Sequence, residues 1–213
     1  MSEDKDKDKE GFEHYFVRDP AVPSAPVTIR AQLRGRRLSF KTDRGVFSHG
    51  SVDFGTRTLA EAIKIPPGAR VLDLGCGYGV LGIVAKLLAA DSKVTMVDVN
   101  ARACALASEN AETNRAGDVE VVCGDAAETL AVRMFDAILL NPPVHAGRAA
   151  VLALLEFAAG VLDRGGKLWC VIQTSKGARR YAGDLEQWFD TVETVRIERG
   201  YRIIVASGAK AKD

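Results

Sequence analysis

Apolar and polar residues alternate along an early stretch of the chain. Between residues 27 and 42 apolar side chains recur at every second position on both sides of Arg34-Gly35. A period of two is typical of strands with one buried face, so this stretch predicts a β-hairpin that turns at Arg34-Gly35. Residues 57–63 then have helical spacing with Thr56 as the expected N-cap, and Pro66-Pro67-Gly68 ends that helix.

From residue 69 onward, short apolar runs of strand length alternate with longer segments of helical spacing. The predicted strands are 71–74, 93–99, 119–123, 135–140, 167–173, 192–199 and 201–206, and the predicted helices are 78–90, 101–115, 149–162 and 179–189. Regular strand–helix alternation predicts an α/β fold with a mostly parallel, doubly wound sheet. The last two strands flank Gly200 and predict an antiparallel pair at its edge.

Composition fits this fold and divides the chain into three parts. The 213 residues are 47% hydrophobic and 27% charged, which suffices for a sizeable core. Residues 1–12 are expected to form a disordered charged tail, 13–68 an extension with the hairpin and a lid loop, and 69–213 the main domain. No apolar stretch is long enough for a membrane span, and the charged N-terminus does not resemble a signal peptide. A cytoplasmic location is therefore expected.

Charge is distributed unevenly along the chain. Residues 27–46 carry six basic side chains and one acidic one, Asp43. Such a basic hairpin suits a polyanionic partner, although a solvated face without a partner would have the same composition. None of the four cysteines forms a C-x-x-C pair, so we expect small buried side chains and no metal site.

A glycine-rich segment follows the first strand of the main domain. Gly77-x-Gly79-x-x-Gly82 matches a dinucleotide fingerprint, but the match alone is weak. Asp73 lies two residues before Gly75, where its carboxylate would repel a pyrophosphate and attract a sulfonium or ammonium group. The pattern therefore favours a cationic cofactor, and an NAD-dependent oxidoreductase is the weaker alternative.

Two further acidic residues lie at the carboxyl ends of neighbouring predicted strands. In doubly wound sheets ligands bind beyond the carboxyl ends of the strands, and Asp98-Val99 and Asp125-Ala126 lie at such ends. A carboxylate at the first position can accept hydrogen bonds from both ribose hydroxyls. At the second position, Gly124-Asp125 alone is an ordinary turn, and its place after the third strand makes it a candidate. These positions support a nucleoside cofactor.

Asn141-Pro142-Pro143-Val144 follows the fourth strand of the main domain. A conjugated exocyclic amine is a poor nucleophile because its lone pair is delocalised. The Asn141 side-chain oxygen and the Pro142 carbonyl can accept its two N–H hydrogens and favour a localised lone pair. Proline restricts the loop and fixes these acceptors. The motif resembles that of methyltransferases acting on planar amino nitrogens, and this resemblance implies methylation of such a nitrogen.

Five segments together resemble the "methyltransferase small" family, and the resemblance is strongest to stand-alone relatives of ribosomal RNA guanine-N2 methyltransferases. They are Phe47-Ser48-x-Gly50-x-Val52-Asp53-x-Gly55-Thr56, Asp73-x-Gly75-Cys76-Gly77-Tyr78-Gly79, Val97-Asp98-Val99-Asn100, Asn141-Pro142-Pro143-Val144-His145-Ala146-Gly147 and Gly200-Tyr201-Arg202. The resemblance implies a Rossmann-like class I methyltransferase fold with seven strands. It also implies S-adenosylmethionine as cofactor and guanine N2 of ribosomal RNA as the acceptor.

The resemblance assigns roles to individual residues. The catalytic residues are Asn141, Pro142 and Pro143; the cofactor-binding residues are Asp73, Gly75, Gly77, Asp98, Val99, Asp125, Ala126 and Asn141; and the candidate substrate-binding residues are Phe47, Ser48, Asp53, Val144, His145 and Arg148. For three of the last group an alternative stays open: core packing for Phe47, a surface position for His145 and a cap of the next helix for Arg148.

Other acceptors stay open. A protein glutamine amide or a DNA adenine is an alternative, although those relatives usually carry an aromatic residue where this chain has Val144. A third hypothesis is a non-enzymatic module that binds the cofactor and interacts with RNA. The sequence assigns no oligomeric state.

Overall fold

The structure is a computed structural model that describes residues 20–210. The predicted tail at residues 1–12 lies outside the described residues, and the division of the chain at residue 69 stays a prediction. None of the helices in the described range is long and apolar enough to cross a membrane.

The predicted hairpin forms a two-stranded sheet of its own. Strand β1 (Val27–Leu33) pairs antiparallel with β2 (Arg36–Thr42). The turn residues Arg34 and Gly35 both have positive φ, 52° and 74°. Two consecutive residues with positive φ form a two-residue turn, and its backbone twist matches the twist of the two strands that it joins. The apolar face is buried in the core, and Leu33 and Phe40 are inaccessible to solvent.

The other edge of β2 is closed by side chains of a helix. Asn110 accepts from the Lys41 amide (2.6 Å) and donates to the Lys41 carbonyl (2.8 Å). One turn later, Asn114 accepts from the Ser39 amide (3.0 Å) and donates to its carbonyl (2.7 Å). The two amides replace a neighbouring strand, satisfy the exposed backbone groups and fix the hairpin against the main domain.

The main sheet has seven strands, as predicted. They are β3 (Arg70–Leu74), β4 (Lys93–Asp98), β5 (Glu120–Cys123), β6 (Phe135–Leu140), β7 (Leu162–Gln173), β8 (Phe189–Glu198) and β9 (Tyr201–Ala209). Their order is β5-β4-β3-β6-β7-β9-β8, with parallel pairing from β5 to β7 and antiparallel pairing of β9 with both β7 and β8. The expected mostly parallel sheet with an antiparallel C-terminal edge is confirmed.

Helices cover both faces of the sheet. They are α1 (Phe54–Ala62), α2 (Val80–Leu88), α3 (Ala101–Thr113), α4 (Ala126–Thr129), α5 (Arg148–Val161) and α6 (Ala178–Leu185). One buried cluster joins the hairpin, α1, α2 and α3 to the sheet, and a second joins α5 and α6 to its opposite face. This two-sided burial explains the nearly continuous apolar runs of the central strands.

Several local predictions were wrong. The helix expected over 179–189 ends at Leu185, and strand β8 already begins at Phe189. Helix α1 begins at Phe54, and its N-cap is Asp53, not Thr56, because the Asp53 carboxylate accepts from the Thr56 amide at 3.0 Å. Strand β7 begins at Leu162, where helix 149–162 was expected to continue, because its pairing with β6 starts there. Cys123 is exposed at the end of the edge strand β5 and is not a buried side chain.

Candidate cofactor and acceptor site

A cavity of about 430 Å³ opens at the carboxyl ends of the parallel strands. Its walls include predicted cofactor residues after β3, β4 and β5 and the Asn141-Pro142-Pro143 motif after β6. Neighbouring parallel strands end at one edge of the sheet, so segments that are distant in sequence meet there. The volume is typical of a small-molecule site.

The glycine loop between β3 and α2 forms the floor of one half of the cavity. Gly75 and Gly77 have φ angles of 71° and 55°, which L side chains rarely adopt. A Cβ atom placed at either residue would meet nothing within 4 Å. The backbone there faces open space that a ligand can approach closely. The Gly75 and Cys76 amides both donate to the Val97 carbonyl at 2.9 Å and tie the loop to β4.

Two carboxylates lie beneath this loop. Asp73 is 2% exposed and accepts from the Gly82 amide at 2.7 Å. Burial, reinforced by Asp98, raises its pKa to about 7. Asp98 accepts from the amides of Gly77 (2.8 Å) and Asn100 (2.9 Å), and burial raises its pKa despite these bonds. A buried acid next to a half-buried one favours a ligand that brings positive charge and hydroxyl donors.

The part of the cavity next to Asp125 and Ala126 is less polar than the part next to the glycine loop. The Asp125 carboxylate caps α4 by accepting from the Ala127 amide at 2.7 Å, and Ala126 is half-buried beside it. Helix α5 lines the opposite side with side chains at helical spacing: Ala146 just before it, then Ala150, Ala153, Leu154 and Phe157. This slot suits a flat aromatic ring with one polar edge.

Asn141-Pro142-Pro143 forms the other half of the cavity. Pro143 has φ −75° and ψ 72°, and the Val144 amide donates to the Pro142 carbonyl at 2.8 Å. These values define an inverse γ-turn, which suits proline because its ring fixes φ and it has no N–H to satisfy. A carbonyl oxygen has two lone pairs, so that of Pro142 can accept one more hydrogen bond.

The Asn141 side chain is held by the first turn of α1. Its Nδ2 donates to the Thr56 hydroxyl at 2.8 Å and to the Asp53 carboxylate at 3.2 Å. Asp53 was predicted to contact substrate, and in the structure its described partners are the cap of α1 and Asn141.

The remaining predicted substrate residues fall into two groups. Phe47 is 44% exposed, and Phe47 and Ser48 line the cavity on the loop that follows the hairpin. The second group, Val144, His145 and Arg148, leads from the γ-turn into α5. Partial loss of solvent and the Lys176 ammonium lower the pKa of His145. Arg148 donates to both oxygens of Asp184, one of them at 2.8 Å, so an anionic substrate would have to compete with that carboxylate.

Sequence reasoning missed part of the site. Thr56 was taken as a cap but lines the cavity and binds Asn141. The α5 wall was also missed, although Ala150, Leu154 and Phe157 recur at intervals of four and three residues, which places them on one face of a helix.

The sheet order, the glycine loop and the acids at the carboxyl ends of β3 and β4 together define a class I S-adenosylmethionine-dependent methyltransferase. The chain belongs to the methyltransferase small domain family, whose profile matches residues 37–205. It is 39% identical to YbxB of Bacillus subtilis, an uncharacterized protein, over 91% of this chain and 98% of that protein.

Ribosomal RNA methyltransferases are also similar. Ribosomal RNA small subunit methyltransferase C of Stutzerimonas stutzeri is 34% identical over 86% of this chain and 56% of its own. The T. thermophilus 16S rRNA N2 guanine methyltransferase RsmC, solved in complex with AdoMet and guanosine, superposes with a TM-score of 0.77 at 28% identity, covering 88% of this chain and 52% of that one. This chain therefore spans about half the length of these two ribosomal RNA methyltransferases.

S-adenosylmethionine is the cofactor, and the residues present fit it. The open space above Gly75 and Gly77 admits an extended chain, and the buried carboxylate of Asp73 lies below it. Asp98 is predicted to bind the ribose hydroxyls, and the slot beside Asp125 to hold adenine. The individual contacts with the cofactor stay predictions.

Proposed function

We propose that this protein methylates an exocyclic amine of RNA, and that the amine is guanine N2 in ribosomal RNA or in an assembly intermediate of the ribosome. The observation that carries the proposal is the pair of acceptors, Asn141 Oδ1 and the Pro142 carbonyl, in the same cavity as the cofactor residues. The bound cofactor supplies an electrophilic methyl group on a sulfonium.

The acceptor half of the cavity suits an NH₂ group. Both hydrogens of the Asn141 amide face α1, so the side chain offers its oxygen to a substrate. Together with the remaining lone pair of Pro142, it can bind two N–H hydrogens of one amine. Accepting both hydrogens orients the nitrogen and favours a localised lone pair. A strong base is unnecessary if the proton leaves after transfer.

RNA as the partner is supported by the charge of the hairpin. Four arginines of the hairpin are exposed, namely Arg30, Arg34, Arg36 and Arg37. The strand β2 leads through Arg44, also exposed, to the cavity-lining Phe47. Basic side chains of this kind position phosphates, while an unpaired base enters the pocket. The likeness to ribosomal RNA methyltransferases supports the same partner.

Val144 weakens the protein glutamine and DNA adenine alternatives, because those relatives usually carry an aromatic residue at this position. It is half-buried on the 3₁₀ turn after the motif and offers no π-face for stacking. Phe47 contributes an exposed aromatic ring to the cavity wall. A base held by Phe47 must be flipped out of any duplex to bring its amine to Asn141. The cytoplasmic location expected for such an enzyme stays a prediction.

The test is methyl transfer with analysis of the product. Purified protein and radiolabelled S-adenosylmethionine are incubated with ribosomal RNA and ribosomal subunits from cells that lack the protein. The labelled RNA is then digested to nucleosides. We expect N2-methylguanosine, and no label with Asn141→Ala. Label in N6-methyladenosine or in protein would move the proposal to that acceptor, and cofactor binding without any transfer would favour a non-enzymatic module.

A further inference from the structure

We infer that Asp53 and Thr56 are positioning residues, which lock the Asn141 amide so that only its oxygen faces the substrate. The inference rests on the proposed function, because it explains how the site distinguishes an amine from other acceptor atoms. Thr56 is 9% exposed and lines the cavity, and its hydroxyl is 2.8 Å from Asn141 Nδ2.

The chemistry of the partners determines the orientation of the amide. An ionised carboxylate can only accept hydrogen bonds, and Asp53 Oδ2 lies 3.2 Å from the Asn141 amide. Rotating the amide by 180° would bring its oxygen against the carboxylate, where the two acceptors would repel each other. The nitrogen therefore faces Asp53, and Oδ1 faces the opposite way. A hydroxyl can accept or donate, so Thr56 adapts to the orientation that Asp53 imposes.

The lock, meaning the contacts of Asp53 and Thr56 with the Asn141 amide, is itself fixed by the first turn of α1. Asp53 caps α1 by accepting from the Thr56 amide at 3.0 Å, so the carboxylate and the hydroxyl belong to one hydrogen-bonded turn. Tyr201 packs against this turn so closely that a Cβ atom on Gly55 would lie 2.8 Å from Tyr201 Cε1. The Asp53 carboxylate cannot turn away from Asn141 without also giving up its bond to the Thr56 amide, which caps the helix.

This arrangement selects among nucleobase atoms. A site that offers Asn141 Oδ1 and the Pro142 carbonyl presents acceptors only. An exocyclic NH₂ satisfies both, a hydroxyl satisfies one, and a ring nitrogen or carbonyl without hydrogen satisfies neither and leaves a buried acceptor unpaired. If the Asn141 amide could rotate freely, its NH₂ group would accommodate those wrong atoms too. The lock therefore contributes to selection of an amine.

Thr56→Val tests the lock because it replaces the hydroxyl with a methyl group of similar size. Thr56→Ser restores the hydroxyl, and Thr58→Val is the matched control on the same helix. Thr58 is 3% exposed. Among the described residues, its hydroxyl hydrogen-bonds only to the Phe54 carbonyl, at 2.8 Å. We expect Thr56→Val to lower kcat about five- to tenfold, the effect of one lost hydrogen bond, with the KM for S-adenosylmethionine unchanged. Thr56→Ser should recover most of the rate.

A second measurement reports on the lock without catalysis. The Asn141 side-chain NH₂ signal in a ¹H–¹⁵N spectrum is assigned by its disappearance in Asn141→Asp. Its hydrogens should exchange with water about tenfold faster in Thr56→Val than in the wild type or Thr58→Val. Equal exchange rates in all three proteins, or equal loss of kcat in Thr56→Val and Thr58→Val, would overturn the inference. A wild-type protein that transfers no methyl group would instead refute the proposed function, while the exchange rates would still test the lock.

Discussion

Replacing Asp73 by Asn should stabilise the cofactor-free protein while weakening cofactor binding. The carboxylate is buried, and its pKa is raised to about 7 from an ordinary 3.8, chiefly by burial. Asn has the same shape and carries no charge, and its oxygen can still accept from the Gly82 amide, now 2.7 Å away. The substitution removes the cost of ionising a buried acid and keeps the hydrogen bond.

The sign and size of the effect follow from proton linkage. Between the two pKa values the folded protein binds a proton at Asp73 that the unfolded chain does not, so the stability of the wild type falls as pH rises from about 4 to 7. The difference of about 3 pKa units corresponds to about 4 kcal/mol at pH values above 7. About half of that loss is already present at about pH 5.5, so the advantage of the Asn variant should grow by about 2 kcal/mol between about pH 5.5 and 8.

Urea unfolding of the cofactor-free proteins at these two pH values measures the prediction. Asp91→Asn is the matched control at an exposed carboxylate, and it should change stability by less than about 0.5 kcal/mol. Titration with S-adenosylmethionine should show at least about tenfold weaker binding to Asp73→Asn, because a charge-assisted contact is lost. An Asn variant that is no more stable than the wild type at about pH 8, or whose advantage does not depend on pH, would refute the reasoning.

Three further substitutions test other parts of the structure. Gly55→Ala should lower the melting temperature, because overpacking against Tyr201 costs about 1–3 kcal/mol and exceeds the gain in helix propensity of about 1 kcal/mol; a higher melting temperature would contradict it. Asn110→Ala removes bonds to Lys41 and Tyr78 and should lower the free energy of unfolding in urea by about 2–4 kcal/mol, whereas a loss below about 1 kcal/mol would contradict its bridging role. Phe47→Ala should reduce kcat/KM for RNA about tenfold with cofactor affinity retained, and an unchanged kcat/KM would exclude stacking on Phe47.

Features determined by local sequence were predictable. The alternation on both sides of Arg34-Gly35 predicted the hairpin, because a period of two and the positive-φ turn are local properties of the chain. The βαβ pattern predicted the sheet, and its carboxyl ends then indicated where Asp73, Asp98 and Asn141 would meet. Each of these inferences needs only the residues of one element and a general rule of topology.

Features that depend on tertiary contacts were not predictable. The Asn141 amide bonds residues 85 and 88 positions earlier in the chain, and no local pattern connects them. Thr56 was predicted as the cap because it immediately precedes the helical spacing, but the helix begins earlier and Asp53 caps it. The Asn110 bridge to β2 likewise joins residues 69 positions apart and depends on the docking of the hairpin. Such contacts follow from packing rather than from propensity.

The first turn of α1 combines a structural and a chemical role, and this affects how its variants must be read. Asp53 caps the helix and orients Asn141 through the same oxygen, so removing its carboxylate lowers stability and misaligns the acceptor together. The Thr56 hydroxyl is the separable part, because its backbone amide, not its side chain, completes the cap. A loss of activity in Thr56→Val without a matching loss of stability would therefore assign the effect to the Asn141 amide and not to the fold.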